Sequence, residues 1–201
     1  MEYTITVFGL GFVGLTTALA FAEKGNKVYG YDINSERSKL IENGKLPFVE
    51  PGLDSALTKH INKNFTVVNN IEIAVKESDF IFLCVGTPCK ENGEADLKYI
   101  YSVIDMISSY LNDGKYKVVV IKSTVPPSTT SERVMSYLEE KGLKVSEKFS
   151  VANNPEFLRE GYCWDDMMNS DRIVCGVSDK KGQEMLSLLY ENFNTLFCSI
   201  T

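Results

Sequence analysis

The stretch GLGFVG, residues 9–14, constrains this chain more than any other because of what flanks it. Three glycines at the spacing G-x-G-x-x-G say little alone. Here Thr4 to Phe8 reads as a strand running straight into Gly9, and Phe12 to Lys24 reads as a helix ending at Gly25. The motif therefore sits at a strand-to-helix turn. In that setting Gly9 allows the tight turn, Gly11 lets a pyrophosphate approach the backbone, and Gly14 lets the helix pack closely on the strand. The N–H groups of the first helical turn, at the positive end of the helix dipole, then face the phosphates. A second strand, Lys27 to Tyr31, ends in Asp32, about 20 residues past Gly11. An acidic side chain there accepts the ribose hydroxyls of an adenosine and repels a 2′-phosphate, which favours NAD over NADP. The alternative is a glycine-rich turn beside a solvated aspartate, and the flanking strands weigh against it.

The rest of the chain repeats the alternation. Residues 3–8, 27–31, 65–68, 79–85, 116–122, 148–152 and 172–177 read as strands, several of them apolar throughout, as strands covered on both faces are. Leu97, Ile100, Val103, Ile104, Ile107 and Leu111 recur at helical spacing behind Asp96, a fitting N-cap. The pattern predicts an α/β, Rossmann-type doubly wound fold with a mostly parallel sheet and helices on both faces. With 201 residues, 44% of them apolar, the chain has enough material for one domain with a sizeable core. No repeat or low-complexity segment interrupts it, and the long irregular stretch is 43–53.

Charge and cysteine usage exclude several classes. A net charge of -6 offers no field to gather a polyanion, so nucleic acid is not an expected partner. No apolar run approaches a membrane span, and Met1-Glu2-Tyr3-Thr4 starts a strand without a basic leader, which reads as cytoplasmic. Cys84, Cys89, Cys163, Cys175 and Cys198 are odd in number and show no C-x-x-C spacing, and His60 is the single histidine. Neither a disulfide framework nor a metal site is expected.

Three further stretches lie where a doubly wound sheet binds its ligands, at the carboxyl ends of strands. FLCVGTP (82–88) ends one strand in Gly86-Thr87-Pro88, and IKSTVPPSTT (121–130) ends another in Ser123-Thr124. Their hydroxyls could line a cofactor cleft. Equally, Thr87 and Ser123 could serve as turn formers, Pro126-Pro127 as a strand terminator and Thr129-x-x-Glu132 as a capping box, and the pattern leaves both readings open. The third, NNPEFLREGYCWDDMMNSDRIVCG (153–176), crowds Glu156, Arg159 and Glu160 after a strand. Charge runs of this kind are most often solvated faces.

Taken together, GLGFVG, EPGL (50–53), VGTP, STVPP and NPEFLREG followed by DRIV-G resemble the nucleotide-sugar dehydrogenases, the family that includes UDP-glucose 6-dehydrogenase and GDP-mannose dehydrogenase. The motifs keep that family's order across most of residues 1–177. The resemblance implies a four-electron oxidation of a sugar C6 alcohol to a carboxylate, with two NAD per turnover. It implies an N-terminal cofactor domain, here residues 1–201, a central helix that makes a homodimer, and a C-terminal domain for the nucleotide sugar. By the same resemblance Gly9, Gly11, Phe12, Val13 and Gly14 hold the pyrophosphate, Asp32 the adenine ribose with Arg37 near it, and Thr87, Pro88, Ser123, Thr124 and Glu160 bound the rest of NAD. Glu156, assisted by Thr124, would position water and release the covalent intermediate. Phe157, Leu158 and Arg159 belong to the stretch that reaches the sugar nucleotide.

Departures from the family are as informative. Its covalent step needs a cysteine in a segment resembling G-x-C-x-x-K-D, together with a central-helix lysine and asparagine, and no cysteine here has that setting. The chain reads as the cofactor domain only and is expected to be inactive alone. Ser128 stands where the family usually has Gly, Cys163 where a small Ala is usual, and Ser170 in place of Pro. Cys163 reads as a small apolar substitution rather than a nucleophile. LREG followed by SDRIVCG is closer to the UDP-glucose branch than to the GDP-mannose branch or to other UDP sugars. A reading of another class is a stand-alone NAD-binding sensor or docking module without turnover. Supply of acid sugars for polysaccharide is the role the family suggests.

Overall fold

Eight strands form one sheet in the order β3-β2-β1-β4-β5-β6-β7-β8. The computed structural model describes residues 2–126 and 128–200. The strands are β1 (Thr4–Phe8), β2 (Lys27–Tyr31), β3 (Phe65–Val67), β4 (Phe80–Leu83), β5 (Lys117–Ile121), β6 (Phe149–Asn153), β7 (Arg172–Val177) and β8 (Leu196–Ile200). Neighbouring strands are parallel except β6 and β7. The connecting helices are α1 (Phe12–Glu23), α2 (Ser35–Glu42), α3 (Leu53–His60), α4 (Ile71–Glu77), α5 (Lys98–Leu111), α6 (Met135–Glu140), α7 (Cys163–Met168) and α8 (Lys180–Tyr190).

The central strands explain why the sheet is covered on both sides. Every residue of β4 and β5 is buried. Because successive side chains point to opposite faces, Phe80, Phe82, Val118 and Val120 join one core with Leu15, Leu19 and Phe21 of α1, while Ile81, Leu83, Val119 and Ile121 join a second with Ile100, Ile104 and Ile107 of α5. This is the doubly wound, mostly parallel architecture predicted from the alternation.

Local signals held where they were local. Gly25, at φ +85°, ends α1 in the left-handed conformation that glycine adopts without strain. The N-cap expected at Asp96 is Leu97 instead, with no side-chain cap; Asp96 sits one residue earlier and accepts the Lys98 N–H at 3.1 Å. Two further readings need correction. The strand reading omits β8, an edge strand whose Leu196 and Ile200 are exposed although its segment LFCSI is apolar at every position but Ser199. The Thr129-x-x-Glu132 capping box does not form, because the Glu132 N–H donates to the Ser128 carbonyl at 2.8 Å and a π-helical turn, Thr129–Val134, leads into α6. Ser128 itself sits at φ +64°, a left-handed conformation that glycine adopts with less strain. Of the Pro126-Pro127 pair, Pro127 lies outside the described residues.

Candidate active site

The carboxyl edge of the sheet carries two poles. At the first, the three glycines divide the labour expected of them. Gly9, at φ +88°, donates its N–H to the Tyr31 carbonyl at 2.8 Å, and a Cβ there would lie 2.8 Å from the Cys84 carbonyl oxygen. A Cβ on Gly14 would lie 1.7 Å from the Gly9 oxygen, so α1 can approach β1 only with glycine at that point. A Cβ on Gly11 would meet nothing within 4 Å. Gly11 is also the N-cap of α1, and no side chain caps the helix. The amide groups of that first turn, from Phe12 onward, are thus presented to an open space at the positive end of the helix.

That space is a cleft of about 470 Å³, walled by Gly9, Gly11, Asp32, Arg37, Val85 and residues of α5 including Val103. Asp32 is 8% exposed and holds the rim together. Its Oδ2 accepts the Leu10 N–H at 2.7 Å and Arg37 Nη1 at 2.9 Å, and its Oδ1 accepts the Asn34 N–H at 2.8 Å. Asn34 in turn caps α2, accepting the Glu36 and Arg37 N–H groups at 3.0 Å each. Phe12 packs on Phe48, with ring centroids 5.3 Å apart, in a neighbouring groove, and Val13 is half-buried in α1.

Thr87, Pro88, Ser123 and Thr124 lie just beyond β4 and β5. The Thr87 hydroxyl donates to the Thr124 carbonyl at 2.9 Å and the Ser123 hydroxyl to the Val85 carbonyl, so these side chains tie the two loops to each other.

The second pole is the loop after β6. Glu156 Oε2 accepts the Leu158 N–H at 2.5 Å. Arg159 forms a two-pronged pair with Asp166, Nη2 to Oδ1 at 2.6 Å and Nε to Oδ2 at 3.1 Å, and the pairing pushes the Arg159 pKa up and the Asp166 pKa down. Phe157 is exposed with the Arg172 guanidinium 5.3 Å from its ring centre, and Glu160 is exposed. Phe157, Arg159, Asp171 and Arg172 border a surface groove of about 370 Å³. Burial pushes the Cys163 and Cys175 thiols up to about 12, so both are protonated and inert near neutral pH.

The sequence model of the UDP-glucose/GDP-mannose dehydrogenase family, NAD binding domain, matches residues 3–194. This chain belongs to that family. It is 39% identical over 191 residues to UDP-glucose 6-dehydrogenase TuaD of Bacillus subtilis, covering 94% of this chain and 41% of that protein. It is likewise 39% identical over 193 residues to GDP-mannose 6-dehydrogenase of Pseudomonas syringae pv. syringae, covering 94% and 44%. Among solved structures, a UDP-glucose dehydrogenase from the hyperthermophilic archaeon Pyrobaculum islandicum superposes with a TM-score of 0.93 at 35% identity, covering all of this chain and 46% of the other. The chain thus spans less than half the length of these relatives.

NAD is the cofactor of this dehydrogenase domain. The first pole fits it: an uncapped helix N-terminus, an open approach at Gly11 and a carboxylate at the rim are what a pyrophosphate flanked by an adenine ribose requires. Among the described residues no helix is long and apolar enough to cross a membrane.

Two further buried residues carry no signal of a role in the sequence. Glu50 is 3% exposed, and its carboxylate accepts the Gly161 N–H at 3.0 Å and the Cys163 N–H at 2.7 Å. It clamps the end of the Glu156 loop from more than a hundred residues away. Its only sequence signal was the motif EPGL, which carries no information about a distant partner. Lys122, inside the stretch IKSTV, is 4% exposed and bonds Asn154 Oδ1 at 3.1 Å.

Proposed function

We propose that this chain is the cofactor half of a nucleotide-sugar 6-dehydrogenase whose complete form oxidises UDP-glucose to UDP-glucuronate with two NAD. The observation that carries the reading is the pairing of poles on one sheet edge. A dinucleotide cradle at Gly9–Gly14 faces the same side as a loop rich in Glu156, Arg159 and Phe157, which Glu50 and Asp166 hold in a fixed shape.

The chain's own groups divide the work. The α1 amides and Gly11 seat the pyrophosphate, Asp32 receives the adenine ribose and disfavours a 2′-phosphate, and Arg37 closes that rim. NAD, when bound, supplies the hydride acceptor. Thr87, Pro88, Ser123, Thr124 and Glu160 border the cofactor's far end. Glu156 orients the water that hydrolyses the acyl intermediate, with Thr124 giving that water a second hydrogen bond. Arg159, with Phe157 and Leu158, reaches the sugar nucleotide; a guanidinium suits a diphosphate because it offers paired donors. The thiolate for the second oxidation is assigned to a segment resembling G-x-C-x-x-K-D, a setting that none of Cys84, Cys89, Cys163, Cys175 and Cys198 has. On this reading the complete protein is a cytoplasmic homodimer that supplies acid sugars for polysaccharide. UDP-glucose is favoured over GDP-mannose and other UDP sugars by LREG and SDRIVCG.

The test is NADH formation by the complete protein with NAD and, in separate assays, UDP-glucose, GDP-mannose and a UDP-N-acetylhexosamine. The reading expects turnover with UDP-glucose and none from the 201-residue chain alone. Preference for GDP-mannose would move the protein to the branch of its Pseudomonas relative. NAD binding by a complete protein that turns over no sugar nucleotide would make it a sensor or docking module.

A further inference from the structure

At the carboxyl end of β5 a lysine is buried beside the second pole. Lys122 Nζ donates to Asn154 Oδ1 at 3.1 Å, the one hydrogen bond its ammonium makes among the described residues. The same oxygen accepts the Tyr190 hydroxyl at 2.6 Å, and Asn154 Nδ2 donates to the Val174 carbonyl at 2.9 Å. Both ends of the amide are therefore fixed, and the amide aims the lysine. A cation buried this deeply is costly. Structure alone does not require it, since Asn154 would keep Tyr190 and Val174 without it.

What the ammonium faces is a cavity of about 30 Å³, room for one water molecule, lined also by Glu156, Asp166, Arg172 and Tyr190. Glu156 Oε2 is taken by the Leu158 N–H, while Oε1 has no hydrogen-bond partner among the described residues. Asp166 is already committed to Arg159. Glu156 is thus the carboxylate with capacity to respond to Lys122.

We propose that Lys122 is a positioning residue for Glu156, its ammonium holding the second carboxylate oxygen through one water in this cavity and so setting the direction in which Glu156 faces its reactant. The inference rests on the assignment of Glu156 to the hydrolytic step. Burial pushes the Lys122 pKa down, while the thiols of Cys84 and Cys175 and the carboxylate of Glu156 act in the opposite sense. The charge linkage can therefore be read from the lysine itself.

Lysine side-chain NMR on the 201-residue chain follows the Lys122 titration in the wild type and in Glu156→Gln. Loss of the facing carboxylate should lower the Lys122 midpoint by about half a pH unit or more; an unchanged midpoint overturns the proposal. This measurement leaves Lys122 intact, so it decides the matter even if variants at that position fold poorly. In the complete protein, Lys122→Met should slow the hydrolytic step about tenfold while changing the first hydride transfer and the sugar-nucleotide KM by less than about twofold. Equal slowing of both steps would mark a merely structural lysine and overturn the proposal. Glu156→Gln in the same assay tests the underlying assignment separately, because a hydrolytic step of normal rate in that variant would remove Glu156 whatever the titration shows.

Discussion

The two poles of the sheet edge are built by different means. The cleft proposed for the cofactor is made of backbone: a turn at Gly9, an open approach at Gly11, an uncapped helix start and one carboxylate a short distance along the chain. The Glu156 loop is held by side chains, with Glu50 reaching Gly161 and Cys163 from more than a hundred residues away, Asn154 joining β5, β7 and α8, and Asp166, seven residues along, holding Arg159. Local backbone geometry tolerates few residue types and fails abruptly. Side-chain clamps fail one bond at a time.

The largest expected effect separates two glycines three positions apart. Gly14→Val should prevent folding or cost more than about 4 kcal/mol, because its Cβ would collide with the Gly9 carbonyl. Gly11→Val should keep the fold within about 1 kcal/mol yet lose NAD binding by about a hundredfold or more, since its side chain enters the pyrophosphate's space. Thermal melts with and without NAD separate the two. A Gly11→Val chain still stabilised by NAD would place the phosphates elsewhere.

Next in size is the clamp. Glu50→Ala removes the acceptor of two amides, one of them the buried Cys163 N–H, and should cost about 2 kcal/mol. Hydrogen exchange at Gly161 and Cys163 should accelerate, while NAD affinity changes by less than about twofold. A large loss of NAD affinity would mean that the poles are not separable.

Acid should loosen the start of α8, which Asp179 caps. Burial tends to raise the Asp179 pKa, but the Gly182 N–H and the Ser150 and Ser178 hydroxyls outweigh it and hold the carboxyl below its ordinary value. The folded pKa is depressed, so this contribution is present above the unfolded value of about 3.9 and is lost as pH falls through the lower folded one. Melts at descending pH should show a shallower acid decline in Asp179→Asn than in the wild type. The smallest effect is at Ser128: Ser128→Gly relieves a residue at φ +64° and should add about 1 kcal/mol, or about 2–4 °C in Tm.

The same contrast explains what could be read from the sequence. The turn at Gly9, the close packing at Gly14 and the placement of Asp32 were legible because they follow from dihedral angles and spacing within some two dozen residues, and β4 and β5 because two-sided burial leaves an unbroken apolar run. Glu50 was not, since nothing near EPGL announces an acceptor for amides that lie after β6. Nothing in IKSTV marks Lys122 as buried, and only the packing of Asn154 and Tyr190 shows it.

Calorimetric titration of the 201-residue chain with NAD and with NADP tests the central claim, that the cofactor pole is complete in itself and reads the adenosine ribose through Asp32. The account predicts saturable NAD binding and NADP binding at least about tenfold weaker, with the gap narrowed in Asp32→Asn. That variant is preferable to Asp32→Ala because the remaining amide oxygen can still accept the Leu10 N–H that shapes the turn. No NAD binding by the chain, or equal affinity for the two cofactors in the wild type, would contradict it.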